Sequence, residues 1–282
     1  MGNTTLDPRN AAKVPVFILA GGLGTRISEE SVLRPKPMIE VGGDPILLHI
    51  MRWYYQFGFN DFVICAGYRS WEIKQFFLTY GFRKNNIELD HRSDSHTPAK
   101  SLGKSEDQEK WRVRVIDTGL DCMTGGRIAR AMNAIGDTSF EDFAVTYGDG
   151  VSDVDLAREF AFHQSHGLTG TVLGVHPSAR FGELSVNSEN RVLDFSEKPQ
   201  SKSDWINGGF FFFKKSFQKY LSTDASCILE RAPLFSLSKD QQLKMHSHDG
   251  FWQPMDTLRD KNLLESLVAE GKAPWISKSI HR

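Results

Sequence analysis

A glycine-rich segment near the start of the chain, Gly21 to Arg26, has the residue types of a phosphate-binding loop. It follows the apolar run Val14 to Ala20, which predicts a buried strand. Glycines let successive backbone N–H groups approach anionic oxygens closely. Two cations accompany the loop: Arg26 within it, and Lys36 in an Arg-Pro-Lys-Pro sequence whose prolines stiffen the backbone. The pattern predicts that this segment binds a nucleoside triphosphate.

Two other phosphate-binding patterns fit the segment less well. A dinucleotide-binding turn needs G-x-G-x-x-G opening directly into a helix, and Gly22-Leu23-Gly24 supplies only the first half of it. A P-loop needs a Gly-Lys-Ser/Thr step, which this segment lacks. A purely structural turn with solvated charges is the remaining alternative, and the strand before the loop and the two cations after it make that the weaker interpretation.

Two aspartates are candidate ligands for a divalent metal. Asp149 lies between glycines, directly after the predicted strand Phe143 to Tyr147. Ligands of open α/β sheets bind at strand ends, and Mg²⁺ takes one or two carboxylates together with phosphate oxygens and water. Asp256 is the second candidate, with a competing role as N-cap of the last helix; Asp153 has the same competing role for its own helix.

A second group of polar residues lies among predicted strand ends and turns in the second half of the chain. Arg180 and Lys198 can bind a phosphate monoester, because cationic side chains pair well with phosphate oxygens. Glu197 and Asn207 can form hydrogen bonds with sugar hydroxyls. Together these residues predict a site for a phosphorylated sugar.

The elements that position these residues alternate between strands and helices. The predicted strands are Val14 to Ala20, Asp61 to Ala66, Arg112 to Asp117, Phe143 to Tyr147, Gly170 to Val175, Glu183 to Val186, Val192 to Phe195 and Gly209 to Phe213. The predicted helices are Ile46 to Phe57, Ser70 to Tyr80, Gly126 to Ile135, Asp153 to Gly167 and Thr257 to Gly271. This alternation predicts parallel pairing in a doubly wound α/β sheet.

Local residue types predict further details of these elements. Asp44 is the predicted N-cap of the first helix, and Gly58 is placed to end it. The run Phe210 to Phe213 predicts a strand buried on both faces. The last helix is predicted to be amphipathic, with an apolar side made of Leu258, Leu263, Leu264 and Leu267.

Composition limits the classes of function. The 282 residues include 35 acidic and 34 basic side chains, so no global field favours nucleic acid or an anionic membrane. Three widely separated cysteines fit no disulfide framework, and no apolar stretch predicts a secretory leader or a membrane span. We expect a cytoplasmic protein with a flexible N-terminal segment over 1–13, a single domain over 14–282, and a mobile loop over 91–110.

The sequence motifs LAGGLGTR, PKPM, YGDG, EKP, INGG and FWQPMDTLRD occur in this order along the chain. In this arrangement the chain resembles the sugar nucleotidyltransferases, and TYGDGVSD and GFWQPMDTLRDKNLLE resemble the cytidylyltransferase branch of that family. The resemblance runs from about Val14 to Trp275. It implies a Rossmann-like mixed, mainly parallel sheet flanked by helices, with a small β-rich sugar-binding part. It also implies Mg²⁺-dependent transfer of CMP from CTP to α-D-glucose 1-phosphate by a homo-oligomer.

The resemblance further implies roles for individual residues. It gives catalytic roles to Arg26, Lys36, Asp149 and Asp256, and Mg²⁺ binding to the two aspartates. The nucleotide-binding residues that it implies are Leu19, Ala20, Gly21, Gly22, Gly24, Thr25, Arg26, Lys36, Thr124, Gly125, Arg127 and Gly148. It gives Lys198 to the sugar phosphate and Asn207 with Gly208 to the sugar, and the nearby Arg180, Gly182 and Glu197 are further candidates for the sugar-phosphate site.

Three alternatives to this activity stay open. The same chemistry could use UTP or dTTP, or another phosphorylated acceptor, because backbone contacts to a base leave little trace in residue identity. A catalytically silent nucleotide-binding regulatory subunit is a second alternative, disfavoured because such a module needs no pair of metal ligands. A nicotinamide oxidoreductase is the third, disfavoured by the incomplete dinucleotide-binding turn.

Overall fold

A computed structural model of the chain describes residues 11–24, 34–83, 85–89, 99–101, 109–136, 139–177, 183–196 and 205–276. The strands are β1 (Val16–Ala20), β2 (Glu40–Val41), β3 (Asp44–Pro45), β4 (Asp61–Ala66), β5 (Ile87–Leu89), β6 (Ala99–Ser101), β7 (Arg112–Asp117), β8 (Asp142–Tyr147), β9 (Gly150–Ser152), β10 (Gly170–Val175), β11 (Glu183–Val186), β12 (Val192–Ser196), β13 (Ile206–Lys214), β14 (Leu243–His248) and β15 (Trp252–Pro254). The α-helices are α1 (Ile46–Gln56), α2 (Ser70–Thr79), α3 (Thr124–Ile135), α4 (Leu156–His166), α5 (Ala232–Lys239) and α6 (Leu258–Ala269).

The described part of the chain contains a seven-stranded central sheet in the order β14-β10-β13-β8-β1-β4-β7. Strand β1 pairs in parallel with β4 and β8, β4 with β7, and β10 with β14. Strand β13 runs antiparallel between β8 and β10. The predicted mixed, mainly parallel α/β sheet is confirmed, and β13 marks a reversal between its two halves.

The central sheet is buried on both faces. Phe210 and Phe212 of β13 pack into one core, which includes residues of α1 and α4. Phe211 and Phe213 point to the opposite face, where they pack with residues of α3 and α5. Successive residues of a strand face opposite sides of the sheet, and both faces of β13 are covered. All four rings are therefore at most 2% exposed. The predicted buried strand at this run is therefore confirmed.

The first helix begins without the predicted aspartate cap. Pro45, and not Asp44, occupies the N-cap position of α1, so the cap prediction is wrong. The Asp44 carboxylate instead accepts a hydrogen bond from Arg52, nearly two turns into the helix, at 2.6 Å. The predicted end is confirmed: α1 stops at Gln56, and Gly58 follows with a φ of 91°.

Two other aspartates are also not the caps of their helices. Asp155, and not Asp153, is the N-cap of α4. Thr257 is the N-cap of α6, in a reciprocal capping box with Asp260. Asp256 therefore does not serve as the cap, and its backbone N–H donates to Asp260 Oδ2 at 3.1 Å.

The predicted element boundaries agree closely where apolar runs are continuous. The strands Asp61–Ala66, Arg112–Asp117 and Gly170–Val175 match residue for residue. The predicted apolar side of the last helix is partly wrong, because Leu258 and Leu263 are 41% and 45% exposed whereas Leu264 is buried.

Part of the predicted loop over 91–110 forms a strand. Residues Ala99–Ser101 are β6, which pairs antiparallel with β5. Residues 91–98 and 102–108 of this loop lie outside the described part of the chain, as do residues 1–10 of the predicted N-terminal segment. No described helix is both long and apolar enough to cross a membrane.

Candidate active site

A cavity of about 700 Å³ lies beside the carboxyl ends of β1 and β8, where the fold of an open α/β sheet places ligands. Its walls come from the glycine loop after β1, the turn at Lys36, the segment before α3, the end of β8, the start of β13 and the region around β15. The lining residues are Leu19, Ala20, Gly21, Gly22, Leu23, Gly24, Lys36, Pro37, Leu120, Asp121, Cys122, Met123, Thr124, Arg127, Tyr147, Gly148, Asp149, Asn207, Trp252, Pro254 and Asp256.

The charged centre of the cavity is a lysine between two carboxylates. Lys36 Nζ donates to Asp149 Oδ2 at 2.5 Å and to Asp256 Oδ1 at 2.8 Å. The Lys36 side chain is 12% exposed, and the aspartate side chains are 30% and 25% exposed. Burial opposes the charge on Lys36, but the two carboxylates outweigh it and hold the pKa of Lys36 above its ordinary value. The lysine is therefore a fixed positive charge.

A small two-stranded sheet brings the two aspartates together across more than a hundred residues. Strand β15 pairs antiparallel with β9, which directly follows Asp149. Beyond the end of β15, the Met255 N–H donates to the Asp149 carbonyl oxygen at 2.8 Å. Because Asp256 is the next residue, its carboxylate reaches the same ammonium.

The turn that carries Lys36 is built by its neighbouring prolines. Residues Lys36–Met38 form one 3₁₀ turn, with Pro35 at its N-cap and Pro37 inside it. Proline suits this position because its φ is already near the helical value and the first N–H groups of a helix need no intrahelical partner. Pro37 and Met38 are buried, which anchors the turn.

The residue that follows β8, Gly148, lies very close to the end of β1. The Gly148 N–H donates to the Leu19 carbonyl oxygen at 2.9 Å. A Cβ at Gly148 would lie 2.7 Å from that oxygen, which is closer than Cβ contacts tolerate. Glycine at position 148 is therefore required by the close packing of this turn against β1.

A buried arginine fixes the position of the glycine loop. The Nη atoms of Arg127 donate to the carbonyl oxygens of Gly21 (2.8 Å), Ala66 (3.3 Å) and Gly119 (2.8 Å), which follow or end three parallel strands. Arg127 is 5% exposed, and burial lowers its pKa from the ordinary value. The sequence predicts a direct nucleotide contact for Arg127. The structure shows its guanidinium binding the backbone, and the nucleotide contact stays a prediction.

The predicted sugar-binding residues of β13 lie at the same cavity. Asn207 Oδ1 accepts the Gly209 N–H at 2.8 Å, and Asn207 Nδ2 donates to Tyr147 Oη at 3.4 Å. The Gly208 carbonyl oxygen accepts from Trp252 Nε1 at 2.7 Å, which links β13 to β15.

The structure tests the proximity of the predicted site residues only in part. The predicted residues that line the cavity are Leu19, Ala20, Gly21, Gly22, Gly24, Lys36, Thr124, Arg127, Gly148, Asp149, Asn207 and Asp256. Gly125 and Gly208 adjoin lining residues in the chain. Those outside the described residues are Thr25, Arg26, Arg180, Gly182, Glu197 and Lys198.

Sequence reasoning missed two large side chains of the cavity wall, Tyr147 and Trp252. Both stand within segments that the sequence had singled out, since Tyr147 directly precedes Gly148 and Trp252 comes four residues before Asp256. The presence of an aromatic residue within four positions of each candidate metal ligand could have indicated that these side chains line the site.

The cavity thus combines a glycine loop at a strand end with one ammonium group and two carboxylates. The sequence profile of the Nucleotidyl transferase family matches residues 15–253, and the chain belongs to that family. Among characterised relatives, it is 43% identical to the glucose-1-phosphate cytidylyltransferases of Salmonella typhimurium and of Salmonella typhi, over 92% of this chain and 97% of each relative.

A solved structure supports the same fold. The chain superposes on HddC from Yersinia pseudotuberculosis, solved in complex with GMP-PN, with a TM-score of 0.61 and 21% sequence identity. The match covers 90% of this chain and 99% of the other. The likeness at this identity concerns the fold alone.

Proposed function

We propose that this nucleotidyltransferase transfers CMP from CTP to α-D-glucose 1-phosphate, giving CDP-glucose and pyrophosphate. The observation that carries the proposal is the Lys36 ammonium held between Asp149 and Asp256 at the cavity beside the glycine loop. Identity of 43% over nearly the full length of two glucose-1-phosphate cytidylyltransferases supports the choice of base and sugar.

The donor set at the cavity fits a divalent cation. Asp149 and Asp256 converge on a single positive charge, and no third Asp, Glu, His or Cys joins a metal-binding group within the described ranges. Mg²⁺ suits such a set, because it binds one or two carboxylates and completes its shell with phosphate oxygens and water. Asp149 and Asp256 would hold it, and when bound it supplies positive charge to the phosphates.

The two proposed substrates are both polyanions and repel each other, so the site must supply positive charge and hydrogen-bond donors that offset the repulsion. The glycine loop offers backbone N–H groups, and Lys36 offers a fixed ammonium, to the triphosphate. Arg26 is proposed to add a second cation there, and Arg180 and Lys198 to bind the sugar phosphate opposite. These residues align the phosphate of the sugar with the α-phosphorus of the triphosphate. Such alignment of two reactants accounts for a large part of the rate acceleration.

The chemistry needs no general base. The second pKa of a phosphate monoester is about 6, so the attacking phosphate of the sugar is mostly dianionic at neutral pH. This matches a cavity whose titratable centre is a charged lysine with two carboxylates, and not a nucleophile with a proton acceptor.

On the acceptor side, Glu197, Asn207 and Gly208 are proposed to contact the sugar, and Gly182 to leave room for it. The amide of Asn207 supports this role by its position in the cavity wall. We also propose a homo-oligomer in the cytoplasm. All three cysteines are free thiols, as proteins of a reducing compartment keep them.

Pyrophosphate release tests the proposal directly. The wild-type chain, assayed with CTP, UTP, dTTP and GTP in turn against glucose 1-phosphate, should be most active with CTP. Asp149→Asn should lower kcat by at least about 100-fold, because a missing charge contact to a developing transition state costs roughly 10²–10³. Asp155→Asn is the matched control, since asparagine preserves a helix N-cap six residues away. Full activity of Asp149→Asn, or a preference for another triphosphate, would contradict the proposal.

A further inference from the structure

One carboxylate outside the predicted site contacts two residues of the cavity wall. Glu230 lies in the segment that precedes α5. Its Oε2 accepts from Thr124 Oγ1 at 2.7 Å, and its Oε1 accepts a short hydrogen bond from Tyr147 Oη. Thr124 opens α3 on the side of the cavity predicted to bind the nucleotide, and Tyr147 ends β8 next to Asn207. Glu230 therefore spans the two halves of the cavity.

The donors and acceptors of this network have only one consistent arrangement. A phenol has a single hydrogen, and Tyr147 donates it to a carboxylate, which can only accept. Tyr147 Oη must then be an acceptor toward its other partner, which is the Nδ2 of Asn207. The Gly209 N–H can only donate, which places Asn207 Oδ1 on the other side of the amide. The orientation of the Asn207 amide is thereby fixed from both sides.

One amide hydrogen of Asn207 is left for a ligand. Nδ2 carries two hydrogens, and Tyr147 accepts one of them. Within the described part of the chain no second acceptor binds Nδ2, and the residue lines the cavity. The network thus presents a hydrogen-bond donor at a set position, where it can meet an oxygen of a sugar.

The Tyr147 ring is seated so that its hydroxyl cannot easily move. Gly209 has a φ of 78°, in the region that favours glycine, and a Cβ there would lie 2.2 Å from Tyr147 Cδ2. The ring also meets Phe211 edge-on at 6.2 Å. A phenol carries its hydrogen at neutral pH, so Tyr147 can donate it to Glu230.

We propose that Glu230 is a positioning residue for the transfer reaction. It binds the hydroxyls of Thr124 and Tyr147 at once, and through Tyr147 it orients the Asn207 amide toward the acceptor sugar. The inference rests on the proposed function, in which Asn207 contacts the sugar of glucose 1-phosphate. It predicts that a residue without substrate contact affects KM for both substrates, for CTP through Thr124 and for glucose 1-phosphate through Tyr147, with little effect on kcat.

Steady-state kinetics of three variants test this role: Tyr147→Phe, Glu230→Gln and the double variant. Tyr147→Phe should raise KM for glucose 1-phosphate about fivefold, the value of one hydrogen bond, and leave KM for CTP within about twofold. Glu230→Gln should raise both KM values. The two hydroxyls each donate to a separate carboxylate oxygen of Glu230, and a glutamine amide has only one oxygen to accept them. The double variant should show a KM for glucose 1-phosphate no higher than that of Tyr147→Phe, since Glu230 acts on the sugar through the phenol.

A matched pair elsewhere on the surface controls for general effects. Tyr220 Oη donates to Asp240 Oδ2 at 2.7 Å, and neither residue lines the cavity. Tyr220→Phe and Asp240→Asn should leave both KM values unchanged. If Glu230→Gln keeps wild-type KM values, or if the two changes multiply in the double variant, the positioning role is overturned. The proposed function fails separately, if the wild-type chain makes no CDP-glucose or if Asp149→Asn remains active.

Discussion

A buried glutamate away from the active site makes stability depend on pH in a defined way. Glu159 lies in α4 with 0% exposure, and neither oxygen of its carboxyl group has a hydrogen-bond partner among the described residues. Burial raises the pKa of Glu159 to about 8, from an ordinary value of 4.5. Burial and the nearby Glu159 also raise the pKa of Tyr54. The carboxyl group is therefore neutral in the folded protein at neutral pH.

The sign and size of the effect follow from these two pKa values. Between pH 4.5 and about 8 the unfolded chain has lost the proton of Glu159 while the folded chain keeps it. Unfolding then releases a proton, so the contribution of this group to stability is complete below pH 4.5 and declines as pH rises toward 8. The decline is about 1.4 kcal/mol per pH unit, or about 3 kcal/mol between pH 5 and pH 7.

Glu159→Gln removes this titration and keeps the shape of the side chain. We expect its free energy of unfolding, relative to wild type, to rise by about 3 kcal/mol between pH 5 and pH 7 and to level off above pH 8. Urea unfolding at pH 5, 6, 7 and 8 measures the difference, in which titrations common to both proteins cancel. Glu189→Gln, on an exposed turn, is the control and should show no such trend. A difference between Glu159→Gln and wild type that stays constant over this range would refute the reasoning.

Three further predictions concern the cavity. Lys36→Met leaves two carboxylates without their shared cation, so Mg²⁺ alone should raise its melting temperature more than it raises that of wild type; equal shifts would contradict the binding of Mg²⁺ between Asp149 and Asp256. Gly21→Ala would place a Cβ 2.1 Å from Arg127 Nη1 and should lower the free energy of unfolding in urea by about 1–3 kcal/mol. Gly22→Ala is the control, because nothing lies within 4 Å of its Cβ, and it should lower that free energy by less than about 1 kcal/mol; similar losses in both variants would rule out the clash. Thr257→Ala breaks the capping box of α6 and should lower the free energy of unfolding by about 1 kcal/mol; an unchanged value would show that the cap is unimportant. It should also lower activity, because Asp256 directly precedes the loosened start of α6.

Continuous apolar runs were sufficient to predict the buried strands at the centre of the sheet. Asp61–Ala66 is buried at every position, and its ends are set by polar and glycine residues in the sequence. The alternating faces of Phe210 to Phe213 likewise follow from burial on both sides of a strand. In such segments local residue type and tertiary environment agree, so the sequence alone indicates the structure.

Helix caps were less predictable, because several polar residues compete near each helix start. Asp44 and Asp153 have the right type for a cap, but each finds a partner outside it: Asp44 binds Arg52, and Asp153 accepts the Phe251 N–H at 2.7 Å. A cap requires a particular backbone conformation at one residue, and distant contacts decide which residue adopts it.

The site was predictable as a set of residues and not as a network. Strand ends meet at one edge of a parallel sheet, so Asp149 could be expected near the loop that follows β1. The contact of Glu230 with Tyr147 has no counterpart in local spacing, since 83 residues separate the two. Arg127 is similar, because its carbonyl partners come from three strands whose neighbours are known only from the assembled sheet.

The reversed direction of β13 has a consequence for how substrate range can change. In a purely parallel sheet every strand would present its last residues to the cavity, whereas β13 presents its first ones, beginning at Ile206. The proposed acceptor side of the cavity therefore uses the first residues of β13, whereas the proposed nucleotide side uses residues at the ends of β1 and β8. Under the proposed function, substitutions near Asn207 would change the choice of sugar and leave the segments proposed to bind the triphosphate unaltered, because the two sides of the cavity come from different strands.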